Sequence, residues 1–84
     1  MVRVRVRLGG GLARLAAAPR LSIELGEDAT VDDLCAALAE REPRLAAALP
    51  DALTAIGGEQ AERSRTLAVG DEVAFLIPVA GGAG

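Results

Sequence analysis

The amino-acid sequence predicts a single α+β domain, a mixed sheet of four to five strands with one main helix packed on one face. Three observations predict it. Residues Val2 to Leu8 alternate strictly between aliphatic and arginine side chains, the pattern of a strand with one buried and one solvated face. From Val31 the apolar residues switch to helical spacing, with Leu34, Cys35 and Leu38 completing one face. Short strand-like runs then return, and 84 residues leave room for only one core.

In chain order, the Val2–Leu8 run is broken by Gly9-Gly10-Gly11, read as a flexible turn. The triplet lacks the spacing and the closing Gly-Lys-Ser/Thr of a phosphate loop. Leu12 to Ala18 suits a short helical turn stopped by Pro19. Leu21, Ile23 and Leu25 alternate with Ser22 and Glu24, so a second strand is expected, able to pair with the first as a hairpin. Gly26-Glu27-Asp28-Ala29 is a turn and Thr30 an N-cap, with Asp33 three residues later as a weaker relative of the capping box. Asp32 and Asp33 suit the positive end of the helix dipole, and Pro43 marks where the helix must end. Leu45 to Leu49 is expected to add one helical turn before Pro50.

Leu53 to Ile56 is a short strand, Gly57-Gly58 a turn, and Gln60 to Arg63 a weak polar strand. Val69-Gly70-Asp71-Glu72 turns the chain into the last strand, Val73 to Ile77. On that strand Val73, Phe75 and Ile77 share one face while Ala74 and Leu76 share the other. Phe75 is therefore expected in the core and Leu76 outside it. Residues 1–79 are read as the folded domain, and 80–84 as a flexible glycine-rich tail with nothing to bury.

Composition narrows the function. A formal net charge of −3 argues against general nucleic-acid binding, which needs an excess of cations to neutralise phosphates. Met1 runs straight into Val2-Arg3-Val4 without the apolar core of a signal peptide. No stretch approaches the roughly 18 apolar residues of a membrane span, so a cytoplasmic, soluble protein is expected. One cysteine forms no internal disulfide, and a chain without histidine is not expected to build a metal site. The lack of histidine also removes the usual general base for a serine or cysteine nucleophile. Cys35 falls on the apolar side of the helix and is read as a core thiol.

The segment Gly70-Asp71-Glu72-Val73-Ala74-Phe75-Leu76-Ile77-Pro78-Val79-Ala80-Gly81-Gly82 closely resembles the C-terminal signature of the molybdopterin synthase small subunit. That group belongs with the thiamine-pathway and other ubiquitin-like sulfur carriers. The opening strand, Leu12-Ala13-Arg14-Leu15 and the Ala29-Thr30-Val31 helix start extend the likeness over most of the chain. The resemblance implies a β-grasp (ubiquitin-like) fold and a carrier protein rather than an enzyme. It further implies that an activating enzyme, using ATP, adenylates the terminal glycine. The acyl-adenylate then becomes a thiocarboxylate that donates sulfur, in molybdenum cofactor biosynthesis to the molybdopterin synthase large subunit. No bound cofactor is implied. Cysteine, thiamine or tRNA thiolation are alternative destinations. A ubiquitin-like modifier joined to lysines, and an interaction module with an inert tail, are readings of other classes.

The chemistry suits such an end. A carboxylate is a poor electrophile until a mixed anhydride with AMP supplies a leaving group that a sulfur nucleophile displaces. Lacking Cβ, Gly81 and Gly82 enter narrow channels in conformations closed to other residues. Pro78 to Gly82 spans at most roughly 13–14 Å when extended, enough to deliver the end to a neighbouring active site. Family members resembling this chain finish at the Gly-Gly pair, whereas here Ala83 and Gly84 follow. Either a protease trims those two and Gly82 is the acyl end, or Gly84 itself is activated.

The resemblance also places a docking patch on the outward face of the sheet, at Arg7, Gln60 and Leu76, with Pro78, Val79 and Ala80 leading into the tail. Of the three sheet positions only Leu76 is apolar. Arg3, Arg5 and Arg7 form either a solvated strand face or a stripe that meets acidic residues on an activating enzyme. Asp71 and Glu72 are read as shaping a turn rather than as an acid/base pair.

Overall fold

The computed structural model describes residues 1–16 and 18–77. The chain forms β1 (Val2–Leu8), α1 (Gly10–Leu15), β2 (Arg20–Leu25), α2 (Val31–Arg41), two 3₁₀ turns (Pro43–Leu45 and Leu49–Asp51), β3 (Leu53–Ile56), β4 (Glu59–Gln60) and β5 (Glu72–Leu76). The five strands make one sheet in the order β2-β1-β5-β3-β4. Only β1 and β5 run parallel; every other neighbouring pair is antiparallel. This is the mixed sheet with one main helix that the sequence predicts.

The alternation in β1 works as expected: Val2, Val4, Val6 and Leu8 are buried and the three arginines between them are exposed. Those aliphatics meet Val31, Leu34, Cys35 and Leu38 of α2 in one continuous core, with Phe75 and Val73 of β5 fully enclosed. The helix starts where its sequence says. Thr30 Oγ1 accepts from the Asp33 amide at 3.3 Å, and the Thr30 amide donates to Asp33 Oδ2 at 2.9 Å, closing a reciprocal capping box.

Residues 61–71 complete that helix end in a way no local pattern announces. The amides of Val31 and Asp32, orphan donors of a first helical turn, bond to the carbonyls of Arg65 and Arg63 at 2.9 Å each. The Leu67 amide bonds to the Ala29 carbonyl at 2.8 Å, and Leu67 itself is buried. Arg63 ties the strap to the second 3₁₀ turn through the Leu49 carbonyl at 2.7 Å, with Asp32 3.7 Å away.

Four sequence expectations are corrected. The fourth strand covers Glu59–Gln60 and not Gln60 to Arg63, because beyond Gln60 the chain leaves the sheet for the strap over α2. The first helix begins at Gly10 rather than Leu12, so Gly10 and Gly11 belong to it instead of to a turn. The Leu45 to Leu49 turn is replaced by two 3₁₀ segments, each holding a proline near its start, where the missing amide costs nothing. The last strand runs Glu72–Leu76, so Ile77 lies beyond it and is exposed rather than continuing the buried face.

Gly57 and Gly58 form the two-residue loop between Ile56 and Glu59, both with positive φ (60° and 85°). Two successive left-handed residues match the twist of a tight hairpin, a backbone that glycine adopts without strain.

Candidate functional site

The face of the sheet turned away from α2 carries the predicted docking residues, and strand register fixes how they lie. One row crosses all five strands: Arg20, Arg7, Ala74, Ala55 and Gln60. Arg7 and Gln60 are thus on the same face but separated by the two alanines, about 14 Å apart at ordinary strand spacing. Leu76 sits in the next row, toward the C-terminal end of β5, where it faces Leu53. Both leucines are exposed, at 45% and 43%.

Leu53 is a residue the sequence reading missed. The signal was its parity: Thr54 and Ile56 point into the core, so Leu53 and Ala55 must point out. The polar Thr54 inside and the large aliphatic outside invert the usual alternation. Two half-exposed leucines held side by side by backbone register form a small preset apolar contact.

Gly9 was also missed. Its amide donates to the Phe75 carbonyl at 3.0 Å, extending the β1–β5 ladder by one bond. A Cβ built on Gly9 would overlap Leu76 Cδ2. The backbone there, at φ −103° and ψ 156°, is open to any residue. Gly9 is therefore a matter of space: its bare Cα lets the Leu76 side chain lie down over the end of β1.

Beside the leucines, Arg7, Ala74 and Ala55 line an open hollow of about 540 Å³, bounded by the Gly57-Gly58 hairpin and by Gly70-Asp71. Alanine at both central positions keeps this floor low. Asp71 is not free to act in it, because its Oδ2 accepts the Ala68 amide at 2.8 Å and holds the turn before β5. The paired carboxylates are thus partly a turn device, as the sequence suggests.

Nothing in the described residues assembles catalytic groups. No cluster of three or more His, Cys, Asp or Glu side chains among them is placed to hold a metal ion. Burial pushes the Cys35 thiol above its ordinary value, Arg63 pulls it partly back, and Asp32 adds to the rise. A protonated, enclosed thiol is a poor nucleophile. No helix among the described residues is long and apolar enough to cross a membrane.

The sequence-predicted residues Pro78, Val79, Ala80, Gly81, Gly82 and Gly84, and with them the boundary between the domain and the tail, lie outside the described residues.

Comparison with known proteins agrees with this geometry. No curated protein sequence matches the chain at a significant level. Among solved structures, SAMP1 from Haloferax volcanii superposes with a TM-score of 0.87 at 28% identity, over 95% of this chain and 99% of that one. A Pyrococcus furiosus protein assigned as molybdopterin converting factor, subunit 1, gives 0.85 at 26% identity, over 94% and 100%. The complex of subunits 1 and 2 of the molybdopterin-converting factor from Helicobacter pylori gives 0.71 at 22% identity, over 96% and 100%, a likeness of fold alone. The ThiS family matches residues 6–82. With a β-grasp sheet, an outward apolar pair and that match over nearly its whole length, the chain belongs to the ThiS family of ubiquitin-fold carrier and modifier proteins.

Proposed function

We propose that the protein is a sulfur carrier whose terminal glycine carboxylate, at Gly82 after removal of Ala83-Gly84 or otherwise at Gly84, is adenylated and converted to a thiocarboxylate. The sulfur is then donated in molybdopterin biosynthesis. The observation that carries this reading is the position of β5. It lies in the middle of the sheet, and its last residue, Leu76, joins Leu53 in the outward apolar pair just before the glycine-rich segment begins. A partner that covers those leucines is at once beside the start of the tail. The family match, which stops at Gly82 and leaves Ala83-Gly84 outside it, supports Gly82 as the acyl end.

In this mechanism the carboxylate attacks the α-phosphorus of ATP and expels pyrophosphate, and a sulfur nucleophile displaces AMP from the acyl carbon. The activating enzyme supplies every catalytic group and the ATP. The carrier supplies a rigid body, a docking face at Leu76, Arg7 and Gln60, and an unhindered acyl end. The large subunit of a molybdopterin synthase is the proposed sulfur acceptor, in line with the subunit complex known from Helicobacter pylori.

The likeness to small archaeal modifier protein 1 favours a second reading, conjugation through the same glycine to lysines of other proteins. Intact-mass analysis of the chain from its native cells separates the two. Loss of Ala83-Gly84 with exchange of one oxygen for sulfur is the result expected of a carrier. Conjugates that survive reduction and denaturation establish the modifier instead. Unmodified full-length chain under every growth condition overturns both.

A further inference from the structure

We propose that Arg5, Arg7 and Arg20 form a basic docking patch for acidic side chains on the enzyme that adenylates the tail, an inference that rests on the carrier reading above. The sequence alone suggests a row of Arg3, Arg5 and Arg7, and the structure redraws it. Arg3 lies opposite Glu24 on β2 and pairs with it at 3.4 Å. On the same ladder Arg7 lies directly opposite Arg20, with Arg5 opposite Ser22. Directly paired strand positions bring Cα atoms to about 4.5–5.5 Å, so two cations there oppose strand pairing. The ladder shows the self-satisfied arrangement at Arg3 and the costly one at Arg7, within a single pair of strands.

None of the three guanidinium groups has a hydrogen bond or ion pair with a described residue. Arg5, Arg20 and Glu72 line one shallow hollow, while Arg7 and Glu72 line the next, so the cations converge on a common surface. Glu72 is the carboxylate in register beside Arg5, yet it forms no ion pair with any of them. Three cations against two carboxylates, Glu72 and the Asp71 that accepts the Ala68 amide, leave a local positive excess on a chain whose net charge is −3. The patch continues through Arg7 and Ala74 to Leu76 and Leu53, so a partner seated on the leucines overlies it.

The surrounding charge selects the partner class. A nucleic acid would meet a three-residue patch on a net-negative body, flanked by aliphatic side chains and Glu72, too few cations for a phosphate track. An acidic protein surface around a tail-accepting cleft fits both the local charge and the apolar strip. Such complementary charge acts mainly on the rate of encounter and weakens with salt.

The probe is the purified adenylating enzyme, encoded in the same genome, whose ATP–pyrophosphate exchange the wild-type chain stimulates. Association is followed by stopped flow from low to high salt for the wild type, R5Q/R7Q/R20Q, R5K/R7K/R20K and R3Q. Relief of the Arg7–Arg20 repulsion should leave the triple glutamine variant at least as heat-stable as the wild type. The expected result is about a tenfold or greater fall in its low-salt association rate, with a flattened salt dependence. The lysine variant and R3Q should stay close to wild type. Wild-type kinetics and salt slope in the triple glutamine variant, while the wild type is still adenylated, overturn the patch and leave the carrier reading standing. No adenylation of either the full-length chain or the chain ending at Gly82 overturns both. Loss of binding to a single-stranded DNA oligonucleotide, with enzyme association unchanged, also overturns the proposal.

Discussion

Phe75 and Leu76 are neighbours on the central strand and predict opposite consequences for truncation. Phe75 is completely buried, in register with Leu8 on one side and Thr54 on the other, and is the largest fully enclosed side chain. Replacing it with alanine removes the ring and leaves a cavity in the core beside β1 and β3, a change that costs about 3–5 kcal/mol. A domain of 84 residues has a total stability of about 4–13 kcal/mol, so this single change consumes a large part of it. At about 4–8 °C per kcal/mol, the melting temperature should fall by about 12–40 °C. Leu76→Ala removes a side chain that is 45% exposed. Only its buried share contributes to folding, which sets a ceiling of about 1 kcal/mol. Urea denaturation followed by far-UV circular dichroism, with both variants at one pH and salt concentration, measures the contrast. Equal losses for the two variants would refute the face assignment on which the whole docking surface depends.

Three further outcomes are expected. Gly82→Val should abolish adenylation while leaving the denaturation midpoint within about 0.5 kcal/mol of wild type, and adenylation that persists would move the acyl end elsewhere. Gly9→Ala should keep the fold, since its backbone angles admit alanine, but it should push Leu76 off the surface it lies on. A stability change of about 1 kcal/mol or less, with severalfold weaker partner binding by titration calorimetry, is the expected pair of readings. The third concerns alkaline pH. A thiol raised in the folded state keeps its proton where the unfolded chain has lost it, so Cys35 contributes stability that is complete below its ordinary value of 9.0 and lost as pH rises above it. With no tyrosine, and arginine at every basic position, no other side chain titrates in that window. Denaturation midpoints from pH 7 to 10 should therefore decline for the wild type and stay level for Cys35→Ala; parallel slopes would contradict the burial argument.

Local chemistry made much of the fold legible. The Val/Arg alternation of β1, the Thr30–Asp33 cap and the Val31–Leu38 stripe each depend on residues close together in sequence, and each forms as written. The same parity placed Phe75 inside and Leu76 outside before any neighbour was known. Where boundaries slipped, a distant partner decided. β4 stops at Gln60 because the chain leaves to supply carbonyls to the α2 N-terminus, and that demand cannot be seen from residues 59–63.

The amino-acid sequence by itself determined the elements, the faces they bury and the glycine-rich end, because periodicity and capping are written within a few residues of each other. Only the tertiary structure decided which exposed residues are neighbours. Register set Leu53 beside Leu76, laid Leu76 over Gly9, paired Arg3 with Glu24 and left Arg7 against Arg20. Those pairings join residues 13 to 67 positions apart, and a period-two pattern says which face a side chain takes but not which strand lies next to it.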